Sequence, residues 1–197
     1  MTATAARTEP SAPQRHRHIP GEAGLWVFLL GDMIMFSVFF GFIAVLHGRH
    51  PRMFRASQQA LHPDLGLLNT LLLLIASALV ARGLRQLRSG RPARTLPWAL
   101  LCALGFAAVK GVEYALVIHD GHTPSSNDFF MYYFVFTGIH LAHLAIGIGA
   151  LTFLIVLSRR PPALSRGHLL AAEGAAAYWH MVDLLWLVLF PLFYLVA

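Results

Sequence analysis

The chain has 197 residues, 57% of them hydrophobic and only 12% charged. A typical soluble domain carries about 25% charged residues, so half the usual charge is missing, which excludes a secreted, disordered or ordinary cytosolic protein. The net charge of +6 comes from 15 bases, all arginine except Lys110; because they fall between long apolar runs, they point to a membrane rather than to nucleic acid.

Residues 1–20 are rich in Thr, Ala, Pro, Arg and His without apolar periodicity, and read as a mobile cytoplasmic tail. The apolar run that follows is longer than the about 7–15 residues of a signal peptide's core and lacks a small-residue cleavage site. From it to the C-terminus, five segments approach or exceed the about 20 apolar residues needed to cross a hydrocarbon core: 21–46, 65–84, 96–119, 129–157 and 171–197. In lipid each backbone polar group must be satisfied within its own segment, so the spans are helices. The expected fold is therefore all-α, a polytopic bundle of five transmembrane helices over residues 21–197. The second span is the weakest, since Arg82 and Arg85 end it early and must snorkel to the interface. No internal repeat is evident, which disfavours an inverted-repeat transporter. Cys102 has no intrachain partner and reads as a small buried hydrophobe.

The arginines orient the chain. Arg7, Arg15, Arg17, the run from Arg82 to Arg94, and Arg159, Arg160 and Arg166 fall on one side; Arg49, Arg52 and Arg55 fall on the other. The positive-inside rule then places the N-terminus in the cytoplasm and the C-terminus across the membrane. The run Arg82 to Arg94 reads as a topology signal and an anchor for anionic lipid.

The informative residues are ionisable groups inside the spans, since each central charge costs about 2.5–3.5 kcal/mol on insertion scales and so usually has a partner. Asp32 is either a proton-relaying carboxylate or a protonated acid hydrogen-bonded to another helix. Lys110 and Glu113, three residues apart, can pair on one face; alternatively Glu113 grips a lipid headgroup or a helix of another subunit. His140 and His143 share a face of the fourth span, His180 and Asp183 a face of the fifth, and Glu173 lies two turns before His180 on nearly the same face. Three imidazoles and a carboxylate suffice for a metal site in a bundle, but interhelical hydrogen bonding that fixes helix rotation costs less to assume. Small residues Gly138, Ala142, Ala145 and Gly149 allow another helix to approach the fourth span. The aromatic stripe Trp179, Trp186 and Phe190 reads as packing or interfacial anchoring, and its place in the last span suggests contact with lipid or a partner subunit.

The last span, Glu173-Gly-Ala-Ala-Ala-Tyr-Trp179-His180-Met-Val-Asp183-Leu-Leu-Trp186, resembles the closing segment of subunit III of the haem-copper oxidase superfamily. Four further stretches match in the same order: residues 26–40 around the lone carboxylate Asp32, Leu68-Asn69-Thr70, Gly111-Val-Glu113-Tyr114, and Thr137-Gly138-Ile-His140-Leu-Ala-His143. The chain has five spans where the mitochondrial form has seven, and Asp32 stands where many members carry Glu. The opening of the first span looks closest to the nitric-oxide-reductase-associated branch. The resemblance implies a non-catalytic multi-pass subunit of a terminal oxidase or nitric oxide reductase in a bacterial inner membrane, with no catalytic residue and no metal of its own. It implies haem and copper in partner subunits I and II, and phospholipid among the helices; no nucleic acid partner is expected. It makes Asp32 the proton-linked candidate. Glu113, His140, His143, Glu173, Trp179, His180, Asp183 and Trp186 become structural, lipid-contact or subunit-contact residues. The reading from the residues alone keeps a self-contained membrane metalloenzyme using His140, His143, His180 and Asp183 as its alternative.

Overall fold

The computed structural model describes residues 23–159 and 165–195; the tail expected at 1–20 lies outside them, as does Arg160. Six helices and no strands occur among the described residues: α1 Ala23–Arg49, α2 Pro51–Gln58, α3 Pro63–Arg88, α4 Leu96–His119, α5 Asp128–Ser158 and α6 Arg166–Tyr194. All but α2 are long and apolar enough to cross a membrane. Their outward faces carry large exposed apolar side chains such as Val27, Ile34, Leu74, Leu101 and Ile146, a surface that water would not tolerate over five helices but that hydrocarbon solvates.

Local chemistry sets the helix ends. Proline occupies the first turn of α2, α3 and α4, where its missing N–H is one that a helix leaves unpaired anyway. Asn127 Oδ1 accepts from Phe130 N at 3.0 Å and Ser165 Oγ from His168 N at 3.3 Å, capping α5 and α6. Helices α3 and α4 both stop in a Schellman turn, at Gly90 (φ 66°) and Gly121 (φ 85°). The reversing bonds run from Arg91 N to Gln86 O at 2.9 Å and from His122 N to Val117 O at 3.0 Å.

Helix α6 is the centre of the bundle, packing on α3, α5 and α1, while α3 also packs on α4 and α4 on α5. Of the spans, α6 is the most buried and α1 the least. The close approaches are made at glycine: a Cβ on Gly83 would lie 2.5 Å from Leu96 Cδ2, and one on Gly147 would lie 3.1 Å from Trp179 Cε3.

Three expectations change here and one helix is added. The second span does not end early: α3 runs to Arg88, because Arg82, Arg85 and Arg88 reach the bundle's end without leaving the helix. Helix α2 was not anticipated; it folds back beneath α5, burying Phe54 against His47 and Phe129. The small-residue stripe Gly138, Ala142, Ala145 and Gly149 is not where a helix of this chain approaches, since Ala142, Ala145 and Gly149 face outward. Gly147, on another face of α5, receives Trp179 instead. Cys102 is half-buried against the core rather than fully enclosed.

Candidate functional site

The polar residues of the spans resolve into separate groups. The most enclosed lies where α4, α5 and α6 meet, with Lys110 and Glu113 both fully buried. Their i, i+3 spacing gives a 3.1 Å ion pair, as the sequence suggested. Lys110 Nζ also donates to Tyr133 Oη at 2.9 Å and to Tyr194 Oη at 2.7 Å. An ammonium has three protons to donate, and here each has an acceptor. Tyr133 Oη donates to Glu113 Oε1 at 2.9 Å, and Tyr194 Oη donates to the same oxygen. The two tyrosines thus link cation to anion, and aromatic faces surround the ammonium, the Tyr133 centroid at 4.6 Å and the Trp186 ring at 5.2 Å. Glu113 therefore does not grip a lipid or another subunit; enclosed on every side, its carboxylate is used up inside the chain.

Asp32 of α1 and His143 of α5 form the second group. Asp32 Oδ2 lies 3.3 Å from His143 Nε2, and both side chains are largely buried. His143 Nδ1 is 2.8 Å from the Ile139 carbonyl, which can only accept, so that nitrogen carries a proton. Phe36 packs edge-on to the imidazole, and Tyr178 Oη donates to the His143 carbonyl at 3.2 Å.

His180 Nδ1 is 2.6 Å from Ser77 Oγ on α3, and Ser77 also bears on Asp183, one turn along α6. At the arginine-rich end of the bundle, Glu173 accepts from Arg88 in a 2.8 Å ion pair. It is not on the His180 site. His140, fully buried, stands between Phe106 and Trp186 with its ring centroid 5.3 Å from the indole. Trp186 Nε1 donates to Thr70 Oγ1 at 3.0 Å, and Thr70 Oγ1 donates to the Gly66 carbonyl.

Three sequence-based readings are corrected by this geometry. Trp179 and Trp186 have no exposed surface and Phe190 has 9%, so the aromatic stripe is the bundle's internal packing and not a lipid or partner contact. His140 and His143 share a helix but turn to different neighbours, one to α4 and α6 and the other to α1. His180 goes to α3. The four residues proposed as metal ligands therefore do not converge, and among the described residues no set of three His, Cys, Asp or Glu side chains is placed to hold a metal ion. The metalloenzyme alternative has no support.

Sequence reasoning missed Tyr133, Tyr194 and Ser77, and took Thr70 only as part of a motif. Their signal was available, since a hydroxyl inside an apolar span needs a partner as an ion does.

The profile of the family described as Cytochrome c oxidase subunit III matches residues 21–197. Quinol oxidase subunit 3 of Bacillus subtilis is 28% identical over 95% of this chain and 94% of its own length. Cytochrome c oxidase subunit 3 of Thermostichus vulcanus is 28% identical over 88% of this chain and 86% of its own. Cytochrome bo(3) ubiquinol oxidase subunit 3 of Pseudomonas putida is 26% identical over 88% and 84%.

Proposed function

The chain belongs to the cytochrome c oxidase subunit III family, and from that membership we propose that it is the non-catalytic third subunit of a bacterial respiratory oxidase. It is a multi-pass bacterial membrane protein. In this role it assembles with a haem-bearing catalytic subunit I and a subunit II, which hold the haem and copper, and it supports assembly, lipid retention and proton uptake during electron transport. The observation that carries this reading is the family match over the whole membrane domain. The internal use of most ionisable groups agrees with it, because they stitch helices together rather than gather around a reaction centre. The relatives reported above are quinol and cytochrome c oxidase subunits, which favours an oxidase over a nitric oxide reductase as the parent complex.

Asp32 is the proton-linked residue of this reading. Its carboxyl lies 3.3 Å from His143 Nε2 across α1 and α5, and α1 is the least enclosed span. Asp32→Asn removes the acid while keeping size, so the complex should assemble normally and show slower turnover-linked proton uptake or a shorter working lifetime. Proton uptake and inactivation rates equal to wild type would reduce Asp32 to packing. Purification from native membranes tests the larger reading: the chain should come with a haem-bearing partner, and isolation as a stable monomer without one would overturn it.

A further inference from the structure

The turn between α3 and α4 borders an open groove of about 410 Å³ lined by Arg82, Arg85, Gln86, Ser89, Arg91 and Thr95. The Schellman turn at Gly90 makes it, folding Arg91 back over the last turns of α3. Among the described residues, none of its three arginines has a carboxylate partner, whereas neighbouring Arg88 is committed to Glu173. The helix dipole accounts for basic residues in the last turn of α3, here Arg85 and Arg88. It does not account for Arg82, a turn earlier, or Arg91, beyond the helix; the positive-inside rule accounts for their side of the membrane but not for their gathering around one groove. Three exposed like charges gathered around one groove make an electropositive patch that favours an anion. The first turn of α4, which also borders the groove, carries no acidic residue.

The remaining lining is acceptor-rich. Ser89 Oγ donates to the Arg85 carbonyl and Thr95 Oγ1 to the Leu79 carbonyl, so both hydroxyls have spent their proton and can only accept. Gln86 Oε1 is buried with no donor to it. Next to the groove Trp98 is 63% exposed, the interfacial position that tryptophan favours in membranes. Leu101 and Leu104 continue its stripe toward the membrane centre, also exposed. An anion here therefore sits at headgroup depth above an apolar track.

We propose that this groove binds the headgroup of an anionic phospholipid carrying hydroxyls, of the phosphatidylglycerol type: the arginines hold the phosphate, Gln86, Ser89 and Thr95 accept from the headgroup hydroxyls, and an acyl chain follows Trp98, Leu101 and Leu104. Phosphatidylethanolamine is disfavoured because it would bring an ammonium among the arginines. The proposal deepens the lipid-holding part of the subunit III reading and does not depend on Asp32.

The test is native mass spectrometry of the intact purified complex, exchanged into phosphatidylcholine nanodiscs doped with phosphatidylglycerol or phosphatidylethanolamine. Wild type should retain one more phosphatidylglycerol than R82Q/R85Q/R91Q, with retention weakened about a hundredfold at about 1 kcal/mol per arginine. R94Q, which removes an arginine outside the groove, should match wild type. Since the triple variant also weakens the topology signal, Gln86→Leu provides a variant with unaltered charge, expected to lose the preference for phosphatidylglycerol over phosphatidylethanolamine. Equal phosphatidylglycerol retention by wild type and both variants would overturn the site, even if other lipids stay bound. Displacement of the lipid by millimolar inorganic phosphate would show a soluble-anion site and overturn the lipid assignment. A wild-type complex with no retained lipid at all would sink the lipid-holding reading as well.

Discussion

Lys110 is the chain's only lysine, and it sits fully buried in the membrane domain with each of its three protons donated. A buried ion pair gains little over an apolar replacement, but breaking one leaves a charge that nothing compensates, at about 3–5 kcal/mol. Glu113→Leu should therefore sharply reduce the complex recovered from membranes and lower its thermal midpoint, and the double change K110M/E113L should recover most of the loss. If the double variant is as unstable as the single, the tyrosine hydroxyls rather than the ion pair dominate. On the same ground, His180→Ala or Asp183→Ala should lower assembled complex, each leaving a buried polar partner of the Ser77 group exposed to about 1–3 kcal/mol of unmet hydrogen bonding; normal assembly of both would contradict that account. The i, i+3 pairing of Lys110 with Glu113 was legible in the sequence because it lies within one helix. The tyrosines that complete it were not, being 20 to 84 residues away in the chain.

Between helices, contact distance decides. Gly83 lets α3 and α4 meet, and a Cβ there would also sit 2.7 Å from Leu96 Cγ and 3.2 Å from Thr95 Oγ1. Gly83→Ala should destabilise the α3–α4 contact by about 1–3 kcal/mol, the usual range for overpacking, whereas Gly138→Ala meets nothing within 4 Å and should be silent. Thermal unfolding of the two purified variants side by side checks the contrast. The sequence reading puts Gly138 in the stripe where another helix can approach and does not single out Gly83. Nothing in the pattern of α5, apolar on all sides, says which side of it will face α6.

For the whole molecule, the arginine distribution predicts that the α3–α4 turn faces the cytoplasm and the α4–α5 turn faces outward. Alkaline phosphatase fused after Gly121 should be active, and the same enzyme fused after Gly90 inactive. The reverse pattern would invert the topology while leaving the bundle intact. The peripheral position of α1 carries a second consequence: with Asp32 as its polar tie to α5, α1 is the span whose contacts should loosen first as the complex ages.

The sequence alone determined the number of spans and their helical nature, and it predicts their sidedness. These follow from hydrocarbon thickness, from the need to satisfy backbone groups without water, and from charge counted along the chain, all of which are local. It also carried the family, because a co-linear set of motifs survives without knowledge of contacts. Only the tertiary structure decided which way each helix turns. A span that is apolar on every side has no amphipathic face to announce its neighbour, so His140 and His143 part company, Glu173 goes to Arg88, and α6, last in the chain, becomes its centre. Close packing at glycines and aromatic rings, and the polar contacts that His143 and Glu173 reach, go with those choices, and both depend on residues far apart in sequence.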